Sequence, residues 1–464
     1  MQAQGTRIAS VMHAIRTRIA ARSDAPGARL PSVRAQAQTM GLSVSTVVQA
    51  YERLAAEGLI TARPGSGFYV TGPTAPLALM EMAPQIERDI DPLWVSRQSL
   101  ESGDGMLKPG CGWLPADWMY QDGMRRALRT LARADAAELA DYDTPLGHPG
   151  LRQVLARRMA ACGIEATPGQ VLLTGSGTQS IDLICRLLLE PGDVVLLDDP
   201  CYFNFHALLR AHRVRAVGIP YTPQGPDLAA FEAALQAHRP RLYMTNSAVH
   251  NPTGAVLAPM VAHRLLKLAE DAALTIVEDD IFADFEHSPA PRLAAFDGLA
   301  RVLHIGSFSK TVSASLRCGY IAARADWIDA LTDLKIATGF GGAQLAASIV
   351  HQVLTGSGYR RHLQALRQRL AQRMHQSIPR LEALGLRPWL VPQAGMFVWC
   401  QLPPSVDAAA LARTCLRHGM VLAPGNVFSQ APSASGFVRL NVAQMDDERI
   451  FTRLAQALAA PPGT

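Results

Sequence analysis

At 464 residues the chain exceeds one ordinary domain, and its balance of 48% hydrophobic and 18% charged residues is that of a soluble globular protein. No apolar run approaches the roughly 18 residues of a membrane span. Seven scattered cysteines without a Cys-x-x-Cys pair argue against a disulfide framework or a zinc site, and suit a reducing cytoplasm.

The net charge of +5 sits in one place. Residues 1–75 hold eight arginines (7, 16, 18, 22, 29, 34, 53, 63) against Asp24, Glu52 and Glu57, which leaves the rest of the chain neutral. A basic head on a neutral body points to a polyanion partner for the head alone. Met1 to Arg22 is Arg-bearing and acid-free, as transit peptides are, but lacks the apolar core of a secretory signal. Ile8, Val11, Met12, Ile15 and Ile19 recur at helical spacing and predict a core-facing helix.

Ala25-Pro26-Gly27 then marks a turn. Ser32 is a suitable N-cap for a short helix to Met40, ended by Gly41, and Ser43 can cap the next, Val44 to Glu57. In that second helix Val47, Val48, Tyr51, Leu54 and Ala55 form the expected buried stripe. Ser45, Thr46, Gln49, Glu52 and Arg53 are expected to point outward. Two short helices joined across Gly41-Leu42 have the pattern of a helix-turn-helix, with the second placed for the major groove. Leu59 to Ala62 and Phe68 to Val70 flank Arg63-Pro64-Gly65-Ser66-Gly67, a hairpin able to form a basic wing. A protein-binding helical module with a hairpin is the alternative.

From Thr71 to about residue 105 periodicity is lost. Pro and Gly suit a surface linker over 73–105, within which Leu77 to Met82 is apolar. Beyond it, apolar runs alternate with helical stretches: Val171 to Leu173, Val194 to Leu197, Leu242 to Met244, Thr275 to Val277 and Val302 to Ile305. This alternation predicts an α/β fold with a parallel-rich sheet covered on both faces, whose ligands sit beyond the C-terminal strand ends.

Polar groups cluster at those ends. The first run leads into Ser176-Gly177-Thr178, small residues that can close around a phosphate at a helix N-terminus, or merely turn the chain. The second leads to Tyr202, either a stacking ring or a core tyrosine. The third precedes Asn251-Pro252, an amide donor or a common turn. The fourth ends in Glu278-Asp279-Asp280, and a carboxylate buried there is costly without a partner. A pyridinium N–H would be such a partner. The fifth delivers Ser307-Phe308-Ser309-Lys310, with Arg317 seven residues on. A partly buried lysine becomes a nucleophilic amine, and serine and arginine suit a phosphate dianion. Taken alone, Ser-x-Ser-Lys also fits a solvated lysine in a polar loop. Near the C-terminus, Arg439 in Phe437-Val438-Arg439-Leu440 suits bidentate capture of a carboxylate, or is a surface arginine beside a strand.

Two resemblances follow from these motifs. LPSVRAQAQTMGLSVSTVVQAYERLAAEGLITARPGSGFYV resembles the winged helix-turn-helix of the GntR family over its whole length. It implies contacts to double-stranded DNA from Arg34, Ser43, Ser45, Thr46, Gln49, Arg63 and Gly65. Residues 106–464 resemble the fold-type I aminotransferases that use pyridoxal phosphate, which implies a smaller C-terminal α/β subdomain as well. By that resemblance Lys310 forms the Schiff base, Asp279 pairs with the ring nitrogen, Tyr202 stacks and Asn251 reaches the ring hydroxyl. Ser176, Gly177, Thr178, Ser307 and Arg317 hold the phosphate, and Arg439 takes a ligand carboxylate. Tyr142, in Tyr-Asp-Thr-Pro-Leu-Gly, matches a tyrosine that serves the phosphate across the interface of a homodimer.

The combination resembles the transcriptional regulators of the MocR type, with residues 1–72 as DNA-binding head, 73–105 as linker and 106–464 as effector body. It implies a cytoplasmic regulator that senses an amino acid or amine by exchange at Lys310, without metal or membrane. An active aminotransferase, and a sensor of the cofactor itself, are the alternatives. Two departures stand out. Val44 and Val48 occupy positions where many relatives carry arginines, and Phe282 stands where the aminotransferases usually have a tyrosine that donates to the ring hydroxyl. Without that donor, Lys310 joined to the cofactor should keep its proton to higher pH. A spectroscopic pH titration of wild type beside Phe282→Tyr checks this. The substitution should lower the titration midpoint, and an unchanged midpoint would refute the expectation.

Overall fold

The computed structural model describes residues 2–20, 24, 27–63, 65–71, 93–101, 103, 105–429 and 431–459. The chain divides into two compact units, Met1–Glu87 and Arg88–Thr464. In the first, helices α1 (Gln2–Ala20), α2 (Val33–Met40) and α3 (Val44–Ala56) precede strands β1 (Ile60–Arg63) and β2 (Gly67–Val70). Capping sets the boundaries. Ser32 Oγ accepts the Ala35 N–H at 3.2 Å, and Gly41 adopts the left-handed conformation that ends α2. Ser43 Oγ accepts the Thr46 N–H at 3.2 Å to open α3.

The spaced apolar residues of α1 meet α3 and the hairpin. Ile8, Val11, Met12 and Ile15 pack with Val47, Ala50, Tyr51, Leu54, Ile60 and Val70. Tyr51 is fully buried; its ring stands edge-on to Phe68 at 5.0 Å and its hydroxyl donates to Pro31 O at 3.0 Å. The buried stripe of α3 differs from expectation. Thr46 and Ala50 are buried, while Val48 and Ala55 are only half-buried. Thr46 turns inward because its hydroxyl lies 2.7 Å from Ser43 Oγ, completing the cap. Arg29 bridges to Tyr69 beside the hairpin, a third strand-like contact with no sequence signal of its own.

In the second unit, β3 (Val171–Thr174), β4 (Val194–Asp199), β5 (Arg215–Thr222), β6 (Gly225–Pro226), β7 (Leu242–Thr245), β8 (Thr275–Asp279), β9 (Val302–Ser307) and β10 (Gly319–Ala322) form one sheet. Its order is β3-β10-β9-β8-β7-β4-β5-β6. Strands β9, β8, β7, β4 and β5 are mutually parallel, while β10 runs antiparallel to both its neighbours. All five expected runs are strands here; β5, β6 and β10 were not anticipated.

The strands read as unbroken apolar runs because both faces are covered. Leu173, Leu196, Tyr243, Ile276 and Val302 enter one core, under helices that include Pro149–Ala160 and Pro259–Asp271. Leu172, Val195, Leu197, Leu242, Met244, Val277 and Leu303 enter the other, under Gly177–Leu188 and Phe203–Ala211. A smaller antiparallel sheet follows, built from β11 (Arg387–Pro388), β12 (Phe397–Gln401), β13 (Ala423–Pro424) and β14 (Phe437–Asn441) in the order β11-β12-β14-β13. Helices Tyr359–Ala383, Ala408–Arg417 and Glu448–Ala459 supply its core. Residues 107–112 thread alongside, with Leu107 bridged to Met420 and the Gly110 N–H on Val421 O at 2.9 Å. A Cβ at Gly110 would stand 2.4 Å from the Ala423 backbone nitrogen, so only glycine passes there.

The segment expected as a linker, 73–105, lies mostly outside the described residues, Leu77 to Met82 included. Its described part carries helix Trp94–Glu101, whose Trp94 and Val95 are buried in the same core as the small sheet. Among the described residues no helix is long and apolar enough to cross a membrane. Ser43→Ala should cost the head about 1 kcal/mol, since it removes an N-cap and strands the buried Thr46 hydroxyl. Hydrogen exchange within α3 of the full chain measures it, and unchanged protection would contradict the capping role.

Candidate functional site

Sheet register builds the site. Gly319 of β10 lies opposite Thr174 of β3 on one side and Ser307 of β9 on the other. The turn after β3 and the lysine loop after β9 therefore emerge at one edge of the sheet. A Cβ on Gly319 would meet the Ser176 carbonyl carbon at 2.7 Å and the Gly177 nitrogen at 2.9 Å, so glycine is required for this closeness. Ser176 caps helix Gly177–Leu188, its hydroxyl accepting the Gln179 N–H at 3.0 Å. The positive end of a twelve-residue helix thus opens where Ser176 and Ser307 meet. Ser307 Oγ lies 3.0 Å from Ser309 Oγ and 3.2 Å from Cys318 O. Thr178 and Arg317 are exposed, Arg317 in the left-handed conformation.

Lys310 is half-buried and donates from Nζ to Gly112 O at 2.6 Å. Burial, seconded by the Arg439 charge, lowers its pKa to about 8. Arg439 lies on β14 and is completely inaccessible. Its Nη1 donates to Asn251 Oδ1 at 3.0 Å and its Nη2 to Gly110 O at 2.8 Å, while Nε has no partner among the described residues. The rings of Phe397 and Phe428 flank the guanidinium at 4.1 and 4.7 Å, and burial brings its pKa down to about 10. So two cations, one of low basicity, face a shared cavity.

Three consecutive carboxyls end β8, and the pleat separates them. Glu278 turns away, accepting the backbone N–H groups of Leu293 and Ala294 and the Ser247 hydroxyl. Asp280, on that same side, is held by both arms of the buried Arg292 at 3.1 Å. Asp279 alone faces the site, where its carboxylate accepts the Ile281 N–H at 3.3 Å. Burial raises its pKa to about 7, against the smaller opposing pull of the Asn246 amide and that backbone donor. Tyr202 sits at the end of the β4 connection, its phenol pushed up to about 12 by burial and then by Asp279.

The cavity is lined by Gly112, Trp113, Tyr202, Phe203, Asn251, Ile281, Phe282, Lys310 and Arg439, together with Val95, Ser96 and Ser99. Phe282 is buried, 6.0 Å from Lys310 Nζ to its ring centre and edge-on to Phe397. The structure thus brings Lys310, Asn251, Tyr202 and Arg439 to one space, with the Asp279 carboxyl near enough to interact electrostatically with Lys310 and Tyr202. Tyr142 stands apart, 79% exposed with its ring against Phe340. Several members had no distinguishing sequence signal. Asn246 donates to the Asp279 carbonyl at 2.9 Å, Phe397 and Phe428 enclose Arg439, and Gly110 and Gly112 supply acceptors.

On the head, Arg34, Val44, Ser45, Gln49 and Arg53 lie on α2 and α3, and all five are exposed. In the wing, the Arg63 guanidinium lies 4.3 Å over the Tyr69 ring and Gly65 takes a positive φ of 72°. Two expected DNA contacts are already engaged. Ser43 Oγ caps α3, and Thr46 is buried with its hydroxyl on Ser43. The outward placement expected for Thr46 is therefore incorrect, because capping takes its hydroxyl inward.

Residues 118–458 match the aminotransferase class I and II family and residues 7–70 match the gntR family of bacterial regulatory proteins. The chain belongs to the aminotransferase class I and II family. With its GntR domain it has the architecture of the MocR-type regulators. It is 32% identical to the HTH-type transcriptional regulator YdcR of Escherichia coli over 454 residues, 94% of each chain. It is 30% identical to the 2-aminoadipate transaminase of Thermus thermophilus, over 75% of this chain and 89% of that one. The crystal structure of LysN, an α-aminoadipate aminotransferase from the same organism complexed with N-(5'-phosphopyridoxyl)-L-leucine, superposes with a TM-score of 0.71 at 26% identity. The match covers 78% of this chain and 94% of LysN.

The Asp279 environment has a measurable consequence. An ordinary aspartate titrates near 3.8 and this one at about 7, so the folded apoprotein binds the extra proton and loses stability as pH climbs between those values. Asp279→Asn removes a charge that is buried only above that window. It should stabilise the apoprotein by a few kcal/mol, on the order set by the shift, at pH 8 and by almost nothing at pH 4. Urea unfolding at the two pH values checks it; an equal effect at both would remove the titration from the explanation.

Proposed function

We propose that this chain is a pyridoxal-phosphate-dependent, DNA-binding transcriptional regulator whose body senses an amino acid or amine at Lys310. One observation carries the proposal. A lysine of low basicity and an inaccessible arginine line one cavity, with a buried carboxyl of raised pKa electrostatically coupled to that lysine, in a chain that also carries a helix-turn-helix.

The residues present fit the cofactor. The donors around Asp279 do not offset its burial, and the N–H of a pyridine ring is the partner that burial calls for. The Ser176 turn, held against Gly319, presents a helix N-terminus and two serine hydroxyls suited to a phosphate. When bound, pyridoxal phosphate supplies an aldehyde that combines reversibly with amines. Ser176, Gly177, Thr178, Ser307 and Arg317 would hold its phosphate, and Tyr202 would cover its ring. Asn251 already spends Oδ1 on Arg439, which leaves its amide hydrogens for the ring oxygen. Lys310 has an appreciable neutral fraction near pH 8, which an amine needs in order to react. Arg439 would take a carboxylate, its aromatic flanks keeping water away.

An amine that competes with Lys310 frees the lysine and changes which contacts the cavity walls make. If the body has two conformations, that difference in contacts sets how far the ligand shifts them, and the heads on DNA follow. The exposed Tyr142 suits a homodimer in which it serves the partner's phosphate site, and the cytoplasm is the expected compartment. Arg34, Ser45, Gln49, Arg63 and Gly65 are the proposed contacts to DNA, with Ser43 and Thr46 shaping the helix that carries them.

Lys310→Ala should abolish cofactor linkage and the response to amines while leaving basal DNA affinity within about twofold, since the head has its own core. Absorbance of the reconstituted protein and DNA binding measured side by side decide it. A normal amine response of DNA binding in this variant would refute the proposal.

The likeness to the transaminase, with Lys310, Asp279 and Arg439 all in place, favours one second reading, genuine amino-group transfer. The yield of keto acid separates the two. About one equivalent per chain fits a sensor; many equivalents, without DNA binding, fit an enzyme.

A further inference from the structure

We infer that helix Trp94–Glu101 is the body's ligand-reading element and couples the Lys310 cavity to the segment that leads to the DNA-binding head. The inference rests on the sensing function proposed above.

The helix has two faces. Val95, Ser96 and Ser99 line the cavity together with Lys310 and Arg439. Trp94 and Val95 are buried, at 5% and 2% exposure, in the core they share with Phe203, Phe282 and the small sheet. Leu100 on the other side is 74% exposed, and Arg97 and Glu101 are exposed as well. Among the described residues neither Arg97 nor Glu101 makes an ion pair. The helix spans eight residues, too short to be stable without packing. It is therefore held by what its inner face touches, and that face is a wall of the cavity.

A ligand with its carboxylate at Arg439 and its amine near Lys310 has its remaining substituent for the other walls. Those are Val95, Ser96, Ser99, Trp113, Phe203 and Ile281, apolar or hydroxyl-bearing and without charge. The chemical class that fits is an α-amino acid with an uncharged side chain. Such a side chain adds contacts to the inner face and so favours the docked helix over the loosened one by its differential affinity. Trp94 also lies about six residues beyond Arg88, where the connection from the head enters the second unit. Docking the helix fixes the body end of that connection; loosening it lengthens the connection. Ligand chemistry at Lys310 thereby becomes a change in what the heads can reach.

The test uses full-length protein reconstituted with pyridoxal phosphate, glycine and leucine as probes, and duplexes selected from a random pool by the protein itself. Three readouts are taken: cofactor absorbance, hydrogen exchange of peptides covering residues 94–101, and DNA affinity. In wild type, leucine should change the absorbance, slow exchange in 94–101 by about tenfold and shift DNA affinity by a similar factor; glycine, without a side chain, should change absorbance with little effect on the other two. Trp94→Ala and, independently, Arg97→Gly loosen the helix without lining the cavity. Each should keep the absorbance change and lose most of the DNA response, so a misfolded first variant leaves the second to decide. A DNA response of wild-type size in a folded variant with intact absorbance change, or exchange in 94–101 that leucine leaves untouched, would overturn the coupling. Absence of any absorbance change in wild type would instead overturn the sensing function, and this inference with it.

Discussion

A buried arginine, a half-buried lysine and a buried carboxyl hold the organisation of the body together. Arg439 lies out of water and Lys310 mostly so, near one another, and Asp279 interacts with the lysine while making little hydrogen bonding of its own. Charges in such a place are costly unless fixed dipoles and neighbours compensate. Here the compensation comes largely from backbone: Gly112 O for the lysine, Gly110 O for the arginine, and two aromatic faces. That requires residues 107–112 to thread beside the small sheet, which in turn requires glycine at 110. The same strap joins the two sheets around the cavity. What the arrangement leaves uncompensated is chemically specific: an amine ready to react, an Nε without a partner among the described residues and a carboxyl of raised pKa.

The sheets divide the work. The large, mostly parallel sheet commits alternate side chains of its central strands to two apolar cores, and the polar groups that face the site come where its strands end. At the end of β8 the pleat sends Glu278 and Asp280 into a buried network with Arg292 and His304, and turns Asp279 to the opposite side, where it interacts with Lys310. The network anchors the strand from behind, so the Asp279 carboxyl stands on a rigid base. The small sheet brings Arg439 from far along the chain. A site assembled from both sheets responds to anything that changes their contact, which is a suitable property for a switch.

The head is built on a different scale. Its core is one compact cluster contributed by three helices and a hairpin, closed by Tyr51. Its capping hydroxyls work inside the fold, and the surface left for DNA is small polar groups and arginines.

Much of this was legible in the chain itself, because the physics concerned was local. Helix spacing in α1, the caps at Ser32, Gly41 and Ser43, the five apolar strands and the polar residues after them all follow from short-range periodicity and turn chemistry. Strands β5 and β10 and the two-residue strands were not expected because pairing, not an unbroken apolar run, makes them strands. Thr46 was misplaced because a neighbouring hydroxyl outweighed its polarity. What the sequence determined is which groups are present and the order in which strand ends present them. Which of three adjacent carboxyls faces the cavity, which aromatic rings enclose Arg439, and that a helix in the joining region becomes a cavity wall were decided by tertiary structure. Each depends on partners tens to hundreds of residues away, whose approach no local pattern encodes.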